Sequence, residues 1–298
     1  MKAIRDLRPQ SEFLRAISHR PARTLIYYIA AALLAVVFLF PVVWPFLTSL
    51  KSAGEAGSTP TGFFPSQISF ENYSDLLVYG AGIVTYVANS AFVTLLTMIG
   101  STILGTLAGY GFSRFRFPGR NIVFFFVLLM FMIPFQSLLT PLFQLLNKMH
   151  LINSLVGLSL VYITYQMPFS IFMMRNSFDS IVRDIEDAAR IDGCSAFTSL
   201  TRVMLPIVRP GIITIALFAF FGPSGAWNEF LAALTLLSDG NKFTLPIMLL
   251  NAQSGQLGIV HWGTVEAGTT IAMFIPAITF LLLQRYYVQG LTAGSVKA

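Results

Sequence analysis

Six apolar runs, near residues 24–50, 83–113, 121–146, 154–178, 209–237 and 265–289, constrain this chain more than any other feature. A hydrocarbon core of about 30 Å takes roughly 20 apolar helical residues to cross, and every run is at least that long. With 55% hydrophobic residues, 11% charged residues and a mean hydropathy of +0.71, the chain lacks the polar residues that would cover a water-soluble core. The alternating polarity of a membrane β-barrel is absent, so the spans must be helices that satisfy their own backbones. The expected fold is an all-α membrane protein with six transmembrane helices.

Orientation follows from the basic residues. Lys2, Arg5, Arg8, Arg15, Arg20 and Arg23 precede the first run, and Arg114, Arg116 and Arg120 follow the second. Arg175, Arg183, Arg190, Arg202 and Arg209 flank or lie in the segment between the fourth and fifth runs, and Arg285 and Lys297 belong to the tail. Only Lys51, Lys148 and Lys242 fall on the other side, out of 19 Lys and Arg in all. The positive-inside bias therefore puts both termini in the cytoplasm. The net charge of +6 is a topology signal, and a nucleic-acid partner is not expected. The organisation reads as a basic N-terminus (1–23), a first helix (24–50), an extracytoplasmic loop (51–82), a transmembrane core of five helices (83–289) containing a cytoplasmic hairpin (180–208), and a cytoplasmic tail (290–298). The first run is too long for a secretory signal and lacks a small-residue cleavage site, so it is expected to be retained.

Between the fourth and fifth runs lies the most polar segment of the core. Ile181, Ile185, Ala188 and Ala189 recur at helical spacing among Arg183, Asp184, Glu186, Asp187 and Arg190, which predicts an amphipathic helix. Gly193 follows Asp192 where a helix would need a left-handed terminator, and Phe197, Leu200, Val203 and Met204 resume an apolar stripe up to Pro206. The pattern is helix, tight turn, helix. Its small Ala side chains permit close approach of another surface, and its carboxylates offer charge-assisted bonds to a partner's basic groups.

One residue is out of place: Glu229, in Gly225-Ala-Trp227-Asn228-Glu229-Phe230, lies within the fifth run. A charge there costs about 2.5 to 3.5 kcal/mol for insertion and usually faces a cavity or a partner. Glu229 and Asn228 can bond several hydroxyls, and Trp227 offers a flat face suited to stacking on a sugar ring. Gly222-Pro223-Ser224-Gly225 just upstream should loosen or break the helix, a common way to build a transport site. A structural polar clamp between helices is the competing reading. Asn89, Ser90, Pro134, Gln136, Gln166 and Pro168 are weaker candidates, accounted for by kinks and interhelical hydrogen bonds. Gly100, Gly105, Gly109 and Gly111 mark close helix packing.

Two outer segments complete the reading. Pro60-Thr-Gly-Phe-Phe-Pro65 and Glu71-Asn72-Tyr73 belong to an ordered but irregular loop, either a connector or a landing surface for an extracytoplasmic partner. The stretch from Ser238 to Thr264, with Asn251, Gln253, Gln256, His261 and Trp262, reads as a second long loop able to contact a sugar or a binding protein. No metal-ligand spacing is present, and the lone Cys194 has no His near it in the hairpin, since His19, His150 and His261 all lie elsewhere. The chain has no Gly-x-x-x-x-Gly-Lys-Ser/Thr sequence, so it is not its own ATPase of that type and is not expected to be an enzyme.

The hairpin resembles the coupling loop of ABC importer permeases, whose pattern is Glu-Ala-Ala, then Asp-Gly, then Leu-Pro. Ala188, Ala189, Asp192, Gly193, Leu205 and Pro206 match it, Asp187 stands in place of Glu, and Cys194 in place of Ala. Trp227-Asn228-Glu229 is similar to the fifth-span motif of the sugar-importing branch. The tail Gly290-Leu-Thr-Ala-Gly-Ser-Val-Lys297 resembles that of the maltose-type permease. The resemblance implies a multi-pass subunit of a bacterial cytoplasmic (inner) membrane, importing a sugar. Its implied partners are two ATPase subunits, a second homologous permease, an extracytoplasmic sugar-binding protein and membrane lipid. ATP and Mg would sit on the ATPases and no cofactor on this chain. By the same resemblance Glu186, Asp187, Ala188, Ala189, Asp192, Gly193, Leu205 and Pro206 form the ATPase-coupling surface, and Trp227, Asn228, Glu229 and Phe230 the substrate pathway. An ion-coupled secondary transporter would show inverted repeats and more ionisable groups in its spans. An ABC permease for another solute is the nearer alternative.

Overall fold

The computed structural model of the chain describes residues 21–58, 62–222, 225–255 and 260–292, with backbone alone at 21–23 and 285–292. The basic N-terminus through Arg20, Pro60, Pro223, Ser224, Gln256 and the tail from 293 onward lie outside the described residues. In chain order the helices are α1 (Pro21–Ser49), α2 (Ala53–Ala56), α3 (Glu71–Val78), α4 (Ile83–Arg114), α5 (Arg120–Leu129), α6 (Phe135–Lys148) and α7 (Leu155–Asp179). They continue with α8 (Arg183–Ile191), α9 (Ala196–Ser199), α10 (Leu205–Ile207), α11 (Arg209–Phe221), α12 (Leu231–Leu236), α13 (Leu245–Gln253) and α14 (Trp262–Thr292). No strand occurs among the described residues.

Four helices are each long and apolar enough to cross a membrane: Thr24–Ser49, Ile83–Arg114, Leu155–Asp179 and Trp262–Gln284. The third and fifth apolar runs are not single helices, so the described residues hold four such helices, or up to six crossings if each bent pair counts as one. In the third, α5 passes through a 3-10 turn at Met130–Met132 and then bends by 105° into α6. Pro134 causes the break, because it cannot donate a backbone hydrogen bond and it holds Ile133 extended (φ −84°, ψ 118°). In the fifth, α11 ends at Phe221 and helix resumes only at Leu231. The break that Gly222 and Gly225 suggested is there.

At the centre α4 crosses α7 at close quarters. A Cβ added to Gly105 would lie 2.4 Å from the Ser170 Cβ, and one added to Gly109 would lie 2.5 Å from the Met174 Cβ and 2.8 Å from the Arg175 backbone nitrogen. Gly100 abuts the Ile163 side chain in the same way. These glycines let the two backbones approach, which is how helices associate where lipid removes the hydrophobic drive between them. Gly111 faces open space and takes no part.

The outer loop is held by buried polar groups. The Asn72 amide, fully buried, donates to the carbonyls of Ser49 (2.9 Å) and Lys51 (2.7 Å), satisfying carbonyls freed at the end of α1. Gly263 is required opposite it, since a Cβ there would sit 2.2 Å from the Asn72 Oδ1. The Lys51 ammonium, also buried, donates to the Gly62 carbonyl and lies 5.2 Å from the Trp44 ring centroid. Ser66 donates from its backbone nitrogen and hydroxyl to the Glu55 carboxylate, which holds that carboxyl below the usual carboxylate range. The second outer segment is not a loop throughout. Leu245–Gln253 is helix α13, with Leu245, Ile247, Met248 and Ala252 buried and Pro246 near its first turn, where proline is tolerated. Asn89 and Ser90 of α4 fasten it, Asn89 donating to the Phe243 carbonyl (2.9 Å) and Ser90 accepting from the Leu245 nitrogen (2.8 Å).

A Gly109→Val substitution must push α4 off α7. It is expected to cost about 1–3 kcal/mol in thermal or denaturant unfolding of the detergent-solubilised protein, the usual range for overpacking. Gly111→Ala should leave stability unchanged, and equal effects at the two positions would refute the packing role.

Candidate functional site

Two sites emerge, one at each end of α11. At the first, α8 ends at Ile191 and the chain reverses through Gly193, whose φ of +84° is the left-handed conformation expected of it. The Cys194 nitrogen bonds back to the Ala189 carbonyl (2.9 Å) and closes the helix end. Ser195 then caps α9 by accepting from the Thr198 nitrogen. The second arm runs through a π-helical turn at Leu200–Met204 into α10, and bends by 76° into α11 at Val208. The hairpin is thus welded to the fifth apolar run.

Its base is a cluster of Tyr110, Met174, Phe178, Ile181, Leu200, Met204, Val208 and Ile215. The apolar stripe of α8 divides differently from its spacing. Ile181 and Ala189 are buried, whereas Ile185 and Ala188 are exposed. The buried position between them is filled by Glu186. Its carboxylate lies 2.9 Å from the Arg114 Nε, with both side chains 6% exposed, and Arg190 approaches at 3.0 Å from the same helix. Arg114 also donates to the Ile181 carbonyl (3.0 Å), and Ser113 donates to Asp179 (2.6 Å). Glu186 therefore serves inside the chain, not on the outward face assumed for it. Asp184, Asp187 and Asp192 are the exposed acids of this segment, and Asp187, 64% exposed, is paired loosely with Arg190 at 3.7 Å. Beside it the turn presents Ile191 and Phe197, 88% and 74% exposed, with Asp192 and Gly193 between them. Leu205 is half-buried and Pro206 exposed. Large apolar side chains held out on a charged hairpin form an interaction surface.

The second site is a cavity of 570 Å³ where the two helix breaks meet. Phe131 to Gln136 come from the break between α5 and α6, Asn228 to Leu231 from the break before α12, and Tyr162 and Tyr165 from α7. Glu229 shapes it. Its carboxylate accepts from the backbone nitrogens of Leu231 (2.8 Å) and Ala232 (3.1 Å) and from the Tyr162 hydroxyl. It thereby supplies acceptors to the first N–H groups of α12, and its negative charge sits at the positive end of that helix. The clamp and pathway readings of Glu229 turn out to be compatible, because the same group braces the break and borders the space it opens.

Trp227 does not join Asn228, Glu229 and Phe230 on the cavity. It is 3% exposed, its ring centroid lies 5.8 Å from that of Phe220 in a tilted pair, and its indole N–H donates to the Ala272 carbonyl (3.1 Å). The ring is core. The aromatic faces that the cavity does present are Phe131, Tyr165 and Phe230. Tyr162 and Tyr165 were missed because tyrosines three apart in an apolar helix look like ordinary packing, whereas Pro134 and Gln136 were at least signalled by their polarity and their breaking of the run. No group of three or more metal-ligating side chains occurs among the described residues.

Replacing Glu186 by Ala strands the buried Arg114 guanidinium and should cost about 3–5 kcal/mol. The double change Arg114→Met with Glu186→Met should regain most of it in the same unfolding measurement, while Asp187→Ala should be neutral for stability. A double variant as unstable as the single would show that the pair is not what holds α8 to α4.

Comparison with known proteins follows from this geometry. Residues 101–292 match the family described as binding-protein-dependent transport system inner membrane component. The galactooligosaccharides transport system permease protein GanQ of Bacillus subtilis is 33% identical over 93% of this chain and 97% of its own length. The trehalose transport system permease protein SugB of Mycobacterium tuberculosis is 34% identical over 93% and 99% respectively. Among solved structures, a chain of a bacterial ABC transporter that imports the acidic polysaccharide alginate superposes with a TM-score of 0.76 at 24% identity, covering 90% of this chain and 98% of the other. At that identity the likeness speaks for the fold.

Proposed function

We propose, starting from the fact that this chain belongs to the family of binding-protein-dependent transport system inner membrane components, a division of labour between its two sites. The chain is a permease subunit of an ABC importer for sugars, as its relatives for galactooligosaccharides, trehalose and diacetylchitobiose are named. The hairpin is the surface on which a separate ATPase subunit docks, and the cavity is part of the route that the sugar takes. Six membrane crossings, two of them broken, leave both termini in the cytoplasm of a bacterium whose inner membrane holds the assembly. A second permease completes the channel, and two ATPases bind ATP and Mg.

The observation that carries this reading is the meeting of two helix breaks at one cavity. Irregular backbone inside a membrane is tolerated where it lines a cavity or is buried in protein, and broken helices near the midplane build transport sites. The cavity's lining suits hydroxyl-rich solutes, since Asn228, Gln136 and Tyr165 offer amide and phenol groups beside aromatic faces. Support for the docking role comes from Ile191, Phe197 and Asp187, exposed around a rigid turn that is fused to α11. A partner that closes on ATP would move this hairpin as a body, and rocking of packed helices is a standard response. Helix α1 is apolar and exposed along most of its length, which suits it to lipid or to the second permease.

The first experiment is purification of the chain in detergent with its co-expressed neighbours, and identification of the bound subunits by mass spectrometry. An ATPase and a second permease in stoichiometric amounts are expected, and a chain that purifies alone would overturn the assembly. In that complex, Gly193→Asp places a side chain into the open space in front of the turn, where a Cβ meets nothing within 4 Å. Membrane insertion should be normal, with ATP hydrolysis uncoupled from uptake. Unchanged uptake would end the docking role of the hairpin.

A further inference from the structure

A second cavity, of 450 Å³, adjoins the one described and shares Phe230 with it. It lies between α13 and the first two turns of α14, and its polar groups are the Gln253 amide, the Thr269 hydroxyl and the Glu266 carboxylate, with Trp262 on its wall. Glu266 was not among the acidic residues expected inside the membrane, although the sixth apolar run, 265–289, includes it as its second residue. Helix α14 in fact starts at Trp262, which puts Glu266 one turn in, half-buried. Its carboxylate makes no hydrogen bond or ion pair among the described residues, in contrast with Glu229, whose oxygens are all engaged. An ionisable side chain inside a spanning helix with nothing to neutralise it marks a functional site. Trp262 is 44% exposed, so unlike Trp227 it has a face free for a ligand.

We propose that this second cavity is an outer sugar subsite of the permease, and that together the two cavities select uncharged sugars over anionic ones. The inference rests on the reading of the chain as a sugar permease. A carboxylate, an amide and a hydroxyl facing an indole ring are the groups that bind a pyranose, accepting and donating to its hydroxyls while the ring stacks on its apolar face. Phe230 borders both chambers, so an oligosaccharide can lie in the two at once with that ring between them. The charge preference follows from what the linings contain. Glu229 borders one cavity and Glu266 the other, and no Lys, Arg or His lines either. A uronate or sulfonate group entering this space meets like charge with no counter-ion from this chain, in surroundings where Coulomb forces are poorly screened.

The test uses the assembled complex with its binding protein in proteoliposomes, measuring uptake of cellobiose, maltotriose and raffinose, with digalacturonate and trigalacturonate as anionic probes. The wild type should favour the best uncharged sugar over the uronates by about tenfold or more. Trp262→Ala should raise KM for that sugar about tenfold, with Trp262→Phe close to wild type, as loss and retention of a stacking face require. Glu266→Gln should narrow the preference against uronates while subunit assembly stays normal. KM and charge preference within twofold of wild type in both Trp262→Ala and Glu266→Gln would overturn the subsite and leave the sugar-permease reading standing. Loss of the second permease from the Glu266→Gln complex would make Glu266 an inter-subunit contact and overturn it too. A wild-type complex that takes up none of these sugars would instead overturn the underlying reading.

Discussion

A chain that leaves its helix inside a hydrocarbon layer must find a partner for every backbone N–H and C=O it exposes, and this constraint organises the molecule. In the fifth apolar run helix stops at Phe221 and resumes at Leu231, and the donors at the start of α12 would be orphaned there without an acceptor. Glu229 provides it, with Tyr162 donating to the same carboxylate from α7. The same solution recurs at the outer end of α1, where Asn72 takes up two carbonyls. It appears again where Asn153 accepts from the Ser238 and Asp239 nitrogens (both 3.1 Å). At each of these places a buried or half-buried polar side chain takes up backbone groups that the irregular chain leaves over, locally from Glu229 and across the sequence from Asn72 and Asn153.

At the inner face the equivalent brace is ionic. Arg114 closes α4, Glu186 sits in α8, and their contact is buried with Tyr110 and Arg190 around it. A buried pair of this kind adds little net stability compared with apolar packing, yet it is costly to break on one side only. That asymmetry suits a joint. A displacement that separates Arg114 from Glu186 leaves the guanidinium without its carboxylate in a buried site.

Much of this was legible in the sequence and some of it could not be. The apolar runs marked where helices would form, Gly193 marked the turn, and Gly105 and Gly109 marked a close crossing, because each of these is a local property of composition or backbone freedom. The 105° bend after Met132 was signalled only by Pro134, and a proline in an apolar run is as compatible with a kink as with a re-entrant break. The side-chain directions were the hidden part. Trp227 stands beside Asn228 in the chain and points into the core, whereas Phe230 reaches the cavity, since residues in an irregular break have no fixed periodicity from which a facing can be read. Glu186 looked like surface because acids on amphipathic helices usually are, and its partner Arg114 is far off in sequence. Helix α13 was hidden by its short length and by the polar residues on either side of it.

The two sites are joined by a single element. Helix α11 has 13 residues, which at 1.5 Å each make a rod of about 20 Å. Its first turn is bent off the hairpin at Val208, and its last turn opens into the break that carries Asn228, Glu229 and Phe230. Gly211 lets it lie against α7, where a Cβ would be 2.4 Å from the Ser177 Oγ, and Phe218 stacks on Phe169 with ring centroids 4.0 Å apart. A rod pinned along one side to α7 can tilt about that contact but cannot shorten. The Glu229 brace holds the mouth of α12 and borders the cavity, so one helix packed along α7 runs from the hairpin at its first turn to the cavity at its last.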